Sequence, residues 1–256
     1  MSNPRFYAGE LDVCTYTMSA TENASFPLSN LNNYVPTDLW KSSGTGSNQW
    51  LKIDLGSTLE RDSIVIEGHN FNSLDDPVYL QYDTNDNTSF ANPVNAVQLD
   101  GFGNGRLLFK FTPATKRYWR ILFPAGIPYA PQVGNLFISK EVDAGFTYVY
   151  PYSTKNEGTP SFVRRSVSGV ARAARIYGAV TKFRITFDVL SDTFRTAWLR
   201  FHQKVIGQTP FYFCDTDDSF WYVFLTGEVD LEQFQYQLNR TSELNMETQS
   251  VGQNPL

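Results

Sequence analysis

The chain has 256 residues, of which 41% are hydrophobic, 15% aromatic and only 18% charged. That is enough apolar material for one large core or two modest ones, and too much for a disordered chain. Its 21 basic and 26 acidic residues leave a net charge of −5, which argues against a specific nucleic-acid partner, because a phosphate-binding surface shows as a basic surplus.

No apolar run approaches the ~20 residues that span a bilayer, so no membrane insertion is expected. The segment Met1–Phe6 has no apolar stretch of the kind that makes a secretion signal, and the expectation is a chain made in the cytoplasm. Cys14 and Cys214 are then two separate reduced thiols.

A short apolar entry carries Phe6, Tyr7, Leu11, Val13 and Tyr16, and a loop rich in Asn, Ser, Thr and Pro follows from Thr21 to Thr37. Leu39, Trp40 and Lys41 end this loop. The stretch Gln49–Gly56 then alternates cleanly, with Leu51, Ile53 and Leu55 on one side and Trp50, Lys52 and Asp54 on the other. Period-two alternation closed by a glycine predicts a half-buried strand. A second strand is predicted at Ser63–His69, and further short ones at 78–82, 97–99, 107–111, 118–123 and 133–138, separated by turn-forming residues. Short strands with no helical pattern between them indicate a β-sandwich or barrel.

The order of the Trp40 loop, Gln49–Gly56, an Ile-rich strand, Lys116–Ile121 and Gly134–Ile138 resembles the discoidin domain, the C-type domain of coagulation factors. The likeness covers about residues 10 to 140 and implies a galactose-binding-like jelly roll over 1–142. Secreted discoidin domains often carry a disulfide joining their ends. Cys14 has no partner in this half, which points to an intracellular or viral relative.

Composition shifts after Lys140. Aromatic and alternating runs predict strands at 146–152, 162–170, 171–177 and 182–190. One helix is predicted at about 191–206: Ser191 stands at the N-cap, and Phe194, Ala197, Trp198, Phe201 and Val205 form a stripe at helical spacing. Gly207 and Pro210 stop it. Strands return at 211–214 and 220–225 and in an alternating segment from Val229 to Leu238. This order resembles the tail-tube-like domain of distal tail and minor tail proteins of long-tailed bacteriophages. The points of likeness are Ile176–Gly178, the strand before the helix, the helix running into Gly207–Phe211, and the strands after Trp221. It covers about residues 145 to 250 and implies a tail-tube-like β-sandwich with one flanking helix over 143–256.

Residues able to carry chemistry are sparse. His69 and His202 lie in different predicted domains, so neither a His-based metal cluster nor a Ser-His-Asp arrangement is visible. Asp215, Asp217 and Asp218 are hard oxygen ligands on a short loop and a calcium site is conceivable there, but their spacing is not that of an EF-hand, and a solvated hairpin turn is the favoured reading. Gly101, Gly103 and Gly105 precede a strand rather than a helix, so they offer no anion cradle. No catalytic residue, metal or cofactor is expected.

Two sets of candidate contact residues remain. In a jelly roll, ligands meet the loops at one end of the sandwich, so the resemblance implies carbohydrate contacts at Trp40, Asn48, His69, Asn70, Phe71 and Tyr129. The competing reading makes Trp40 core and the rest ordinary loop residues. A charge asymmetry marks the second half: Arg164, Arg165, Arg172 and Arg175 fall in a stretch without acids, whereas Asp215, Asp217, Asp218, Glu228, Asp230, Glu232, Glu243 and Glu247 face only Arg240. The two surfaces are expected to meet across subunits. A solvated face, or a channel near passing DNA, would leave the same pattern.

The tail resemblance therefore implies a structural protein of a phage tail tip or baseplate. It would be a homo-oligomeric ring, sixfold if the likeness holds, touching other tail proteins in the virion. The jelly-roll resemblance implies, as the alternative, a carbohydrate-binding adhesin on a host-surface glycan. A glycan-active enzyme is the third reading.

Overall fold

Alternation at Gln49–Gly56 does produce a strand, and it runs on much further. The computed structural model describes residues 3–9, 14–19, 23–74, 77–83, 96–100, 105–145, 153–157, 161–165, 171–175, 180–187, 192–205, 209–216, 218–226 and 242–248. The fold is mainly β. In chain order its strands begin with β1 (Arg5–Tyr7), β2 (Thr15–Met18), β3 (Trp40–Lys41), β4 (Gln49–Glu67), β5 (Tyr79–Asp83), β6 (Ala96–Gln98), β7 (Arg106–Phe123), β8 (Gln132–Val133), β9 (Asn135–Ser139) and β10 (Val142–Asp143). They continue with β11 (Ser153–Glu157), β12 (Ser161–Arg165), β13 (Ala171–Arg175) and β14 (Val180–Phe187), the helix α1 (Asp192–Val205), and then β15 (Phe211–Cys214), β16 (Phe220–Leu225) and β17 (Ser242–Thr248).

The chain forms two compact units, one of Tyr7–Glu141 and one of Met1–Phe6 together with Val142–Leu256. The first six residues thus join the second half, where the sequence reading placed them in the first domain. The cause is backbone pairing: Arg5 and Phe6 lie opposite Asp143 and Val142, and β1 also neighbours β15.

The Tyr7–Glu141 unit is a β-sandwich built on one long ribbon. The strands predicted at 49–56 and 63–69 are a single strand, β4. Those predicted at 107–111 and 118–123 are likewise one, β7. β4 and β7 pair antiparallel from Gln49↔Phe123 to Glu67↔Arg106, with register breaks between Asp54 and Leu59 and between Arg61 and Ser63. Gly56 sits in the first break at φ +72°, a conformation glycine adopts without strain. A straight ribbon of this length would hold its ends about 60 Å apart. Yet Phe71, just beyond β4, has its ring 5.3 Å from that of Phe123 at the end of β7. The ribbon therefore bends and folds back on itself.

On its inner side, Leu51↔Ile121↔Leu80 and Ile53↔Trp119↔Tyr82 form continuous rows across β4, β7 and β5, and all of these residues except Tyr82 are buried. β2 and β9 pair with opposite halves of β4, and Trp40 on β3, 1% exposed, pairs with Val133 on β8.

In the other unit, the described strands form a sheet in the order β10-β1-β15-β16-β17-β14-β11. Helix α1 packs its predicted stripe inward: Phe194, Trp198, Phe201 and Val205 are all at most 3% exposed, and Ala197 is half-buried. Trp198 lies 5.1 Å from the rings of both Phe6 and Phe201, and Phe201 lies 5.1 Å from Phe211. β12 and β13 make a separate two-stranded hairpin. The strands predicted at 146–152 and 229–238 and the Ser191 cap lie outside the described residues. Among the described residues no helix is long and apolar enough to cross a membrane.

Candidate functional site

Folding back the β4–β7 ribbon gathers loops from distant parts of the chain at one end of the Tyr7–Glu141 unit. Three side-chain and backbone ties hold them. Asn48 Oδ1 accepts the main-chain N–H of Ala125 at 2.9 Å, and Gly126 N–H reaches the Thr45 carbonyl at 3.0 Å. Asn70 bridges in both directions, its Nδ2 donating to the Ala130 carbonyl and its Oδ1 accepting from Gln132 N–H, each at 3.0 Å.

The six predicted carbohydrate contacts separate into a frame and a surface. Trp40, His69 and Phe71 are 1%, 6% and 2% exposed, so they have no ring face to offer a ligand. Phe71 packs edge-on against Phe123 on one side. His69 stacks on Phe71 with centroids 4.6 Å apart, and its Nδ1 accepts the Phe71 N–H at 3.2 Å. Burial pushes the His69 imidazole down to about 4, opposed by a hydrogen bond with the Arg106 backbone. A histidine so depressed is neutral at pH 7 and serves as a stacked core ring. Asn70 is half-buried and its amide is spent on the loop bridge, while Asn48 is exposed with its Oδ1 committed to Ala125.

Tyr129 differs from these. It is 60% exposed, the one large exposed hydrophobic side chain among the described residues. It stands between Pro128 and Pro131, whose fixed φ stiffens the backbone that carries it. Its neighbours Ala130 and Gln132 are the two groups that Asn70 clamps.

The remaining expectations place as follows. Arg164 lies opposite Arg172, and Arg175 opposite Ser161, in the β12–β13 hairpin; Arg165 pairs with Ala171. Asp230 and Glu232 lie outside the described residues, as does Asp217. Asp215 accepts from Thr216 N–H, and Asp218 forms an ion pair with Arg5. Both carboxylates therefore have partners within the turn and the sheet, and among the described residues no group of three His, Cys, Asp or Glu is placed to hold a metal ion. His202, expected on the polar side of α1, is 8% exposed, and burial lowers its pKa. Neither Cys14 nor Cys214 is in a disulfide.

Sequence reasoning passed over the outward face of the β4–β7–β5 sheet. Arg120 is 6% exposed there, and its Nε–H donates to Gln81 Oε1 at 2.7 Å. Burial holds the Arg120 guanidinium at about 10. The signal available was the polar half of the alternation at Gln49–Gly56, which marks a face as well as a core.

No protein-family model matches this sequence, and no curated protein does. Among solved structures, it is similar to chitosan-binding module 1 of a chitosanase/glucanase from Paenibacillus sp. IK-5, at 21% identity over 49% of this chain and 93% of that one, TM-score 0.40. It is similar to the lectin domain of lectinolysin in complex with Lewis B antigen, at 12% identity over 49% and 92% of the two chains, TM-score 0.40. A GH29 fucosidase from Ruminococcus gnavus is similar at 15% identity, over 50% of this chain and 25% of its own, TM-score 0.39. Superpositions this loose assign neither ligand nor partner to this chain, and none of these three is a phage tail protein.

Proposed function

We propose that this chain is a non-catalytic glycan-binding protein that acts as an adhesin on a cell-surface saccharide. The Tyr7–Glu141 unit presents the contact. The observation that carries the reading is Tyr129, 60% exposed on a corner braced by prolines and by the Asn70 clamp. A phenol ring stacks on the apolar face of a sugar, and a backbone that is already rigid loses little entropy when the sugar arrives. Asn48, exposed on the neighbouring loop, offers its amide to a hydroxyl. Trp40, His69 and Phe71 act beneath this surface as its packed support.

The test is a glycan array followed by calorimetric titration of the best binder. Tyr129→Ala is expected to weaken binding at least 10-fold with the melting profile unchanged. A clean negative across neutral glycans, or a Tyr129→Ala protein that binds as well as the parent, would overturn the reading.

A second reading keeps the phage tail: a structural ring, sixfold, that braces receptor-binding parts in a virion. Its support is the register of the β12–β13 hairpin, which sets Arg164 opposite Arg172. Cross-strand like charges are unfavourable, and a second copy could set the acids late in the chain, Asp230 and Glu232 among them, against this basic stretch. Light scattering decides it: closed oligomers that dissociate in the double charge reversal at Arg172 and Arg175 favour the ring, and a monomer at every concentration counts against it.

A further inference from the structure

Two consecutive residues hold the Tyr129 corner from below, and they do so by different chemistry. Asn70 grips Ala130 and Gln132 with its amide, each bond 3.0 Å long. It stands at the N-cap of the 3-10 turn Phe71–Ser73 yet makes no capping bond with its side chain, so the amide is given to the segment that carries Tyr129. His69 grips Phe71. Its ring is stacked on the Phe71 ring with centroids 4.6 Å apart, and its Nδ1 accepts the Phe71 N–H at 3.2 Å. Asn70 is the middle of a short span pinned at both ends.

The stacked ring fits one protonation state. Because Nδ1 accepts, the neutral imidazole carries its hydrogen on Nε2 and the Nδ1 lone pair is in use. A second proton goes to Nδ1. It turns the acceptor into a donor aimed at another donor, the Phe71 N–H, and it charges a ring that is 6% exposed. Neighbouring charges do not relieve this. Among the described residues, the charged side chains on the elements around His69 are Glu67 on β4 and Arg106 on β7, which are paired with each other. The turn Phe71–Ser73 and strand β8 carry none. The ring titrates at about 4 against 6.5 for an ordinary histidine, so between these values acid favours a displaced ring over the stacked one by up to about 300-fold.

Displacement has one direction. The N–H groups of Gly68 and His69 both reach the Gly105 carbonyl, at 2.7 and 3.3 Å, which anchors the chain ahead of the ring. The give lies on the other side, at Asn70 and Phe71.

We infer that His69 is an acid-operated release for the Tyr129 corner: a proton on Nδ1 unseats Phe71, draws the Asn70 amide away from Ala130 and Gln132, and lets the bound saccharide go. His69 is a positioning residue here, since it is buried and acts through Asn70. The inference rests on the glycan reading of this corner for its ligand, while the release itself is measured without one.

The experiment follows the amide signals of the full, ligand-free chain by nuclear magnetic resonance from pH 7 to 3.5. Phe71 and Gln132 should shift together, at the midpoint of the His69 ring, while the core amides of Ile53 and Ile121 hold still. In His69→Gln protein the shifts at Phe71 and Gln132 should vanish. The second arm is affinity for the tightest glycan of the array. The parent should lose at least 10-fold between pH 7 and 3.5, and His69→Gln should keep most of its affinity. Asn70→Ala should bind at pH 7 about as weakly as the parent at pH 3.5, with little further loss in acid. A Gln132 signal that does not follow His69, or one that titrates alike in His69→Gln protein, overturns the inference. So does loss of Gln132 together with Ile53 and Ile121, because the acid response is then global unfolding. An affinity equal at both pH values while the amides shift also overturns it, since the corner then moves without releasing anything. If the array yields no glycan, the reading of the corner as a saccharide site fails, and the amide titration still decides whether His69 works the clamp.

Discussion

Asn70 offers the sharpest test of how the loop end is held. Its side chain makes two hydrogen bonds of 3.0 Å, donating to Ala130 O and accepting from Gln132 N–H. Each is worth about 0.5–1.5 kcal/mol net, so Asn70→Ala should cost about 1–3 kcal/mol. Ala130 and Gln132 are half-buried, so water can reach the groups left behind and the cost stays in that range. Asn70→Asp separates the two bonds. Its carboxylate still accepts from Gln132 N–H but sets a negative oxygen against the Ala130 carbonyl. Hydrogen exchange of the intact protein reads this directly: the Gln132 amide should lose protection in Asn70→Ala and keep most of it in Asn70→Asp, while urea titration shows both variants destabilised. Equal Gln132 protection in Asn70→Ala and the parent would refute the clamp. So would an Asn70→Asp protein that exchanges there as fast as the alanine variant.

Three other outcomes are expected. His69 has a folded-state pKa of about 4 against an ordinary 6.5, so the unfolded chain binds the extra proton between these values. Stability is then full above pH 6.5 and falls by up to about 3 kcal/mol as pH drops through 4; His69→Gln should flatten the urea midpoint over that window, and an unchanged slope would refute the assignment. A methyl group at Gly134 would lie 2.1 Å from the Pro36 carbonyl oxygen, a backbone atom that cannot step aside. Gly134→Ala should therefore lower stability by about 3 kcal/mol or prevent folding, whereas Gly44→Ala, with open space around it, should change the urea midpoint little. Trp198→Ala empties the centre of the α1 packing, where the ring is fully buried beside Phe6 and Phe201. About 3–5 kcal/mol should be lost, seen as earlier loss of the helical circular-dichroism signal.

Local periodicity made much of this fold legible. The helix over Asp192–Val205 falls within the predicted span because Phe194, Trp198, Phe201 and Val205 keep a 3.6-residue beat on their own. The ladder around Leu51 and Ile53 was readable for the same reason with a period of two. What stayed hidden depends on contacts between distant residues. Nothing in Arg5–Tyr7 announces that a three-residue strand will pair with residues more than 130 positions away. Gly56 looked like the end of a strand, because a glycine after alternation signals a turn as readily as a bulge inside a longer strand. At the site, loop composition singled out Trp40, His69 and Phe71 together with Tyr129, but sequence carries no measure of which rings the folded ribbon covers. The Arg120–Gln81 contact needed the register of β5 against β7, which residue spacing along one strand does not contain.

The pairing of β1 with β10 has a topological consequence. Phe6 and Val142 face each other across neighbouring antiparallel strands, and the whole Tyr7–Glu141 unit is the connection between them. It is an insertion spliced into what would otherwise be a hairpin. Such a module can be excised in principle and the gap closed by a two-residue turn, leaving the host sheet's strand order intact. By the same logic, a different module could be grafted at that point. The arrangement also governs mechanics: a pull on anything held by the inserted unit arrives at the host through two adjacent strands at once.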